Sequence, residues 1–313
     1  MGKNLKVQLA AEINPVVTEN FCGTDAGFYI SKALLQANSL ECLTIIENVK
    51  FKTAIQAMNA AGLVQDAACD FKAAGSLTLT DNILEPRNLM VNLQLCKLNL
   101  LTSWEALQMR AGAWNNGDVP SFTDYAISLM AKNIAAGIES SVWNGVKTQA
   151  GQFDGFTTPT TGVFAVDGTT VTATKTAAFS ATTILANIEK AIGVIPAPVL
   201  GSEDLRIYMN QKSYMFYISA MSEKGYLNAY NMQSDYVPVV NGIKVCVVNG
   251  LQDDVIVIAE MTNLYFGTDL VSDAAEIRVL DMSDLDGSSN VRMVAKYTGG
   301  VQIGTGSDIV WLS

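Results

Sequence analysis

The chain has 313 residues, 49% hydrophobic and only 16% charged, with a net charge of −10 and no histidine. Its length suits one large domain or two smaller ones, and its hydrophobic content exceeds that of a disordered chain. The missing histidines exclude Ser-His-Asp and Cys-His catalysis, His-ligated zinc and facial-triad iron, and the acidic balance lacks the basic footprint of most nucleic-acid binders.

The longest purely aliphatic run, residues 255–259, is far below the ~20 residues of a membrane span. No apolar h-region follows the first six residues, so no signal peptide is expected, and Lys6 stands where myristoylation wants Ser or Thr. The cysteines are Cys22, Cys42, Cys69, Cys96 and Cys246, odd in number and without a C-x-x-C pair. Reduced thiols in a cytoplasm, packed among apolar neighbours as in Val245-Cys246-Val247, are therefore expected. So little charge on so long a chain points to surfaces covered by neighbours in an obligate assembly, because interface cores are depleted in Lys, Glu and Asp.

In chain order, residues 1–48 read as an extended arm with short helices near 28–35 and 39–46. Residues 49–52 are a candidate strand, and Gly75 marks a turn. Two alternating runs follow, Ser76-Leu77-Thr78-Leu79-Thr80 and residues 88–96, separated by Glu85-Pro86. Alternation without a thick apolar block predicts thin β-structure that projects from a core and leaves edges in need of a partner. A short helix is expected within 101–118, after Ser103.

The clearest helix starts at Ser121-x-x-Asp124, a variant capping box. Ile127, Met130, Ile134 and Ile138 recur at spacings of three and four, and Val142 and Trp143 extend that face. It would span residues 121–145, roughly 36 Å at 1.5 Å per residue. The opposite face, with Ala131, Asn133, Ala136 and Ser140, is small and polar.

A Gly/Thr-rich loop then carries Phe153-Asp154-Gly155-Phe156. A strand within 168–176 and a helix over 182–195 are expected, the latter stopped by Pro196 and Pro198. The last third reads as α+β, with strands at 205–209, 243–248, 255–259 and 308–312, a short apolar run at 264–267, and a helix capped by Asn210. Residues 276–281 and 291–297 form a long hairpin through an Asp-Gly turn, with Gly299-Gly300 as its break.

Motifs for chemistry are weak. Gly304-Thr305-Gly306 lacks the third glycine and the βα start of a phosphate loop, so it reads as a strand turn. Asp281, Asp284 and Asp286 do not fit a calcium loop, because Met282 and Met293 fall at ligand positions. Asp253-Asp254 reads as a solvated turn rather than an acid–base pair, since adjacent side chains diverge. No catalytic, cofactor-binding or metal-ligating residue is assigned, and no enzyme activity is expected.

The order of these elements, with Glu139, Gly145, the Phe153–Phe156 loop, Tyr208-Met209-Asn210, Val240-Asn241-Gly242 and Asn263-Leu264-Tyr265-Phe266-Gly267, resembles the major capsid proteins of tailed bacteriophages. The fold this implies is α+β, the Hong Kong 97-like capsid fold with N-terminal arm, extended β-hairpin loop, long spine helix, and peripheral and axial domains. On that resemblance the arm is 1–48, the extended loop 49–100 and the peripheral domain 101–175 with the spine helix at 121–145. The axial domain is 176–269, the peripheral hairpin 270–300 and the axial C-terminal strand 301–313. No N-terminal scaffolding segment is expected, because the arm starts almost at Met1.

The implied function is structural: self-assembly into hexamers and pentamers of an icosahedral virion head enclosing double-stranded DNA, built in the host cytoplasm. Scaffold, portal and decoration proteins are the implied partners, with no cofactor and no membrane. Some members weld subunits by Lys–Asn isopeptide bonds; Lys50, Lys52 and Lys72 lie in the loop without a matching partner. The alternatives are an encapsulin-like shell enclosing cargo enzymes, or another virion part such as a tail-tube or decoration protein.

Overall fold

A computed structural model describes residues 38–67, 69, 73–96, 120–225, 239–269, 277–282, 287–288 and 290–313. The expected arm before residue 38 and the helices near 28–35 and 101–118 lie outside the described residues. A 3₁₀ turn at Asn38–Cys42 leads into β1 (Thr44–Ile46), β2 (Thr53–Ala61), β3 (Ser76–Leu84) and β4 (Arg87–Cys96). The long helix α1 (Pro120–Asn144), α2 (Val163–Asp167), β5 (Val171–Ala173) and α3 (Ile184–Gly193) follow. Then come β6 (Leu205–Met209), α4 (Gln211–Glu223), β7 (Val239–Val240), β8 (Ile243–Val247), β9 (Ile256–Glu260) and β10 (Leu264–Gly267). β11 (Ile277–Asp281), β12 (Asn290–Ile303) and β13 (Val310–Leu312) close the order.

The chain divides into two units, the larger built from 37–87, 136–269 and 298–313. Its centre is a six-stranded sheet in the order β5-β13-β9-β6-β8-β7. β6 runs parallel to β8 and antiparallel to β9. Ile184, Ile188 and Ala191 of α3 recur at spacings of four and three and are buried in one core with Ile207, Met209, Ile256, Ile258 and Leu312. Each buried isoleucine contributes about 1.5–3 kcal/mol. Asn210 caps α4, its Oδ1 accepting from the Ser213 amide at 2.7 Å, as such a residue before a helix does. A smaller sheet places β1 parallel to β10, and β10 antiparallel to the last residues of β12.

The second unit takes its described residues from 88–135 and 270–297. Here β4 and β11 both pair with β12, with Ile277 opposite Ala295 and Asp281 opposite Val291. Val291, Met293 and Ala295 alternate inward, the period-two pattern of a strand with one covered face.

Helix α1 carries the expected stripe: Met130, Ile134, Ile138, Val142 and Trp143 are buried, while Asn133, Ala136 and Ser140 are exposed. Ala131 belongs to the buried side instead.

Five further expectations need correction. Residues 39–46 form a 3₁₀ turn and a strand rather than a helix. Residues 49–52 connect β1 to β2 instead of forming a strand. The projecting hairpin is β2 with β3, whereas β4 pairs with β12. β2 was hidden in Thr-Ala-Ile-Gln-Ala-Met-Asn-Ala-Ala, whose alanines carry little strand propensity, so pairing with β3 imposes the conformation.

Gly299-Gly300 does not break β12, which continues to Ile303. A Cβ at Gly299 would lie 2.9 Å from the Phe153 ring, and one at Gly300 2.9 Å from the Pro86 Cα. These glycines permit close approach within the strand.

The cysteines are the fifth correction. Cys42 and Cys246 form a disulfide across 204 residues, with Cα atoms 6.5 Å apart. Their wide spacing in sequence concealed the pair, because the fold alone brings the 3₁₀ turn to β8. Cys69 is a free, exposed thiol.

Candidate functional site

Two features of the larger unit carry the functional argument. The first is the β2–β3 hairpin. Its nine-residue strands extend about 30 Å at 3.4 Å per residue. Directly opposed residues share a face, and the register pairs Ala54 with Ile83, Gln56 with Asp81 and Met58 with Leu79. Met58, Leu77, Leu79 and Ile83 are 67%, 63%, 53% and 55% exposed. One hairpin face therefore presents a row of large apolar side chains to solvent. The other face carries Thr80, Asn82 and Leu84, of which Leu84, at the root, is buried.

That root is firmly held. Leu84 and Ile55 are buried with Val49. Asn82 Nδ2 donates to the carbonyls of Ile303 and Gly304 at 3.0 and 2.8 Å, and Gln302 Nε2 donates to the Ile83 carbonyl at 2.8 Å. Lys52 and Glu85 form an ion pair at 3.1 Å; the hydrogen bond from Lys52 holds the Glu85 carboxyl below its usual range. Among the described residues β2 and β3 form a two-stranded sheet, so the hairpin is an anchored ribbon of the kind that invites pairing with another chain.

The second feature is a buried polar hub. Glu139, 7% exposed, accepts from the Ser39 amide at 3.1 Å, the Ser39 hydroxyl at 2.6 Å and the Gly250 amide at 3.1 Å. Trp143 Nε1 donates to the Ser39 hydroxyl at 2.6 Å. One carboxylate therefore joins the 3₁₀ turn, α1 and the loop before β9. Behind it, Trp143 packs on Phe156 and Tyr208 at ring-centroid distances of 5.5 and 5.6 Å.

The loop after α1 closes that helix. The amides of Phe156 and Thr157 donate to the carbonyls of Val142 and Trp143, each at 2.9 Å, so carbonyls left open at a helix end are satisfied by the returning chain. A Cβ at Gly155 would fall 2.5 Å from the Trp143 carbonyl carbon. Gly155→Ala is therefore expected to lower stability by about 1–3 kcal/mol through overpacking, read as a drop in the urea midpoint.

Tyr208 donates to the Cys42 carbonyl at 2.7 Å. Burial pushes its phenol pKa far above the usual value. Its contribution is complete below the unfolded-state value near 10 and is lost as pH rises toward the folded-state value. Tyr208→Phe should remove that alkaline loss and cost about 1 kcal/mol at neutral pH, measured by unfolding at pH 7 and pH 11.

The residues weighed for chemistry do not converge on a reactive centre. Asp253 accepts from Asn210 and Lys212, each at 2.6 Å, and the Lys212 contact lowers its pKa. Asp254 accepts instead from the Phe179 amide at 2.9 Å. The Gly304 and Thr305 amides donate to Asn263 Oδ1 at 3.1 and 2.7 Å, so both are taken up within the chain. Asp284 and Asp286 lie outside the described residues, as does Lys72.

A cleft of about 560 Å³ beside the hairpin root includes Glu85, Arg87, Asp154 and Asp167. Each is engaged: Arg87 with the Lys147 and Gln152 carbonyls at 2.5 and 2.6 Å, Asp154 with the Lys147 amide at 2.8 Å, and Asp167 with Thr169. Among the described residues there is no group of three or more His, Cys, Asp or Glu placed to hold a metal. No described helix is long and apolar enough to cross a membrane.

Glu139 stands out in the sequence as part of a motif, whereas its partners do not. Ser39 carries no sequence signal for its role, being one small polar residue a hundred positions away.

No family model matches the chain, and no curated protein matches it. Solved structures do. A structure from Gordonia phage Cozz aligns over 100% of this chain and 91% of its own, at TM-score 0.57 and 13% identity. The procapsid of satellite phage P4 that includes the size determination protein Sid aligns over 96% and 92%, at TM-score 0.55 and 11% identity. The capsid of an empty GTA particle aligns over 96% and 94%, at TM-score 0.54 and 12% identity. The chain has a mixed α+β fold shared, over nearly its whole length, with phage capsid structures.

Proposed function

We propose that the chain is a major capsid protein of the Hong Kong 97 type, which assembles with copies of itself into hexamers and pentamers of a phage head enclosing double-stranded DNA. The observation that carries this reading is the anchored hairpin, whose exposed apolar row is costly in an isolated subunit. A neighbouring subunit laid against that face would cover the row. In this reading α1 is the spine helix, the six-stranded sheet unit is the axial domain, and β11 with β12 is the peripheral hairpin.

Low charge fits a subunit with many covered faces, and a net charge of −10 would limit adhesion of packaged DNA to the wall. Scaffold and portal proteins would assist assembly in the host cytoplasm.

The test is light-scattering mass on the purified full-length protein, alone and with phage scaffold or lysate. Megadalton particles holding nuclease-protected DNA in infected cells support the reading. Particles filled with a cargo enzyme would move the assignment to an encapsulin-like shell. A monomer under every condition would overturn it.

A further inference from the structure

We propose that Cys42 and Cys246 form a redox-conditional clasp, open in a reducing compartment and closed by a small-molecule disulfide such as oxidised glutathione. Closure bonds the 3₁₀ turn to β8. The two sulfurs are brought together by contacts that do not need the bond. Tyr208 holds the Cys42 carbonyl at 2.7 Å, Glu139 and Trp143 hold Ser39, and β1 pairs with β10. The Cα separation of 6.5 Å lies within the range a disulfide spans. Folding therefore presents the thiols as a pair, and the oxidant decides whether they are joined.

Cys246 is buried and Cys42 is partly exposed, so Cys42 meets the oxidant first. Its thiolate attacks one sulfur of glutathione disulfide and expels one glutathione thiolate. The Cys246 thiolate then attacks the Cys42 sulfur of the mixed disulfide and expels the second. The cysteines lose two electrons and two protons, and the glutathione disulfide gains them. Reduced glutathione runs the sequence backwards.

Closing a loop of 204 residues restricts the unfolded chain strongly, and an unfolding temperature about 10 °C higher is expected for the closed form. In a particle, the clasp would close after the subunit leaves a reducing cell. That timing rests on the capsid reading; the chemistry does not.

The test uses the full-length protein carrying Cys69→Ser, so that the exposed free thiol cannot exchange. Samples are equilibrated in reduced or oxidised glutathione, alkylated, mapped by mass spectrometry and melted. A Cys42–Cys246 peptide within one subunit, present only after oxidation and accompanied by the higher midpoint, is expected. Cys246→Ser should abolish the difference; if that variant does not fold, the wild-type comparison decides alone. Free thiols after oxidation, pairing of Cys42 with another cysteine, or an unchanged midpoint would overturn the clasp. Particle formation is scored separately, so failure of the capsid reading leaves this result readable.

Discussion

Met58→Lys combined with Leu79→Lys should abolish self-assembly while leaving the folded subunit intact. Both side chains project from the same hairpin face and are more than half exposed. Changes at such exposed positions shift subunit stability by only about 0.5 kcal/mol. In a shell, each lysine would place a charge in an apolar contact, which costs several kcal/mol without a partner. A loss of about 3 kcal/mol per contact corresponds to at least a ~100-fold rise in the concentration needed for assembly. Thr80→Lys, on the opposite face, is the control and should assemble far better. Sedimentation of the three proteins checks the result; equal loss from both faces would remove the apolar row from the account.

Glu139→Ala should be the most damaging single change within the subunit. It strips the acceptor from the Ser39 amide, the Ser39 hydroxyl and the Gly250 amide. Buried donors left without partners cost about 1–3 kcal/mol each, and relaxation makes the sum sub-additive, so about 3–5 kcal/mol is expected. Glu139→Gln keeps one acceptor oxygen and should cost roughly half as much. Denaturant midpoints of the two variants, compared at equal slope, give the difference. Equal, small losses would mean that the hub does not hold the 3₁₀ turn.

Local patterns made part of this molecule legible in advance. The stripe from Met130 to Val142 marked α1, Asn210 marked the start of α4, and the run from 255 to 259 marked a central strand. Each signal is written in neighbouring residues, where side-chain period or a cap decides the conformation. The misses share one cause, which is control by distant contacts. β2 is alanine-rich and becomes a strand because β3 pairs with it. Gly299 and Gly300 look like a break, yet they serve the close approach of Phe153 and Pro86. The Cys42–Cys246 bond and the Ser39–Glu139 contact join residues 204 and 100 positions apart, beyond any periodicity.

The site shows the same division. Alternation in 76–80 announced an exposed strand, which is why the proposed assembly role could be argued from local sequence. Which of its faces is apolar across both strands depended on the register of β2, and that register is not written in either strand alone.

The most direct measurement of the central claim is electron microscopy of the assembled full-length protein. Closed icosahedral shells with five- and six-fold rings, in which the β2–β3 hairpin lies apolar face down on a neighbouring subunit, are the predicted result. Shells in which that face stays bare to solvent, or a dispersed monomer even with scaffold present, would contradict it.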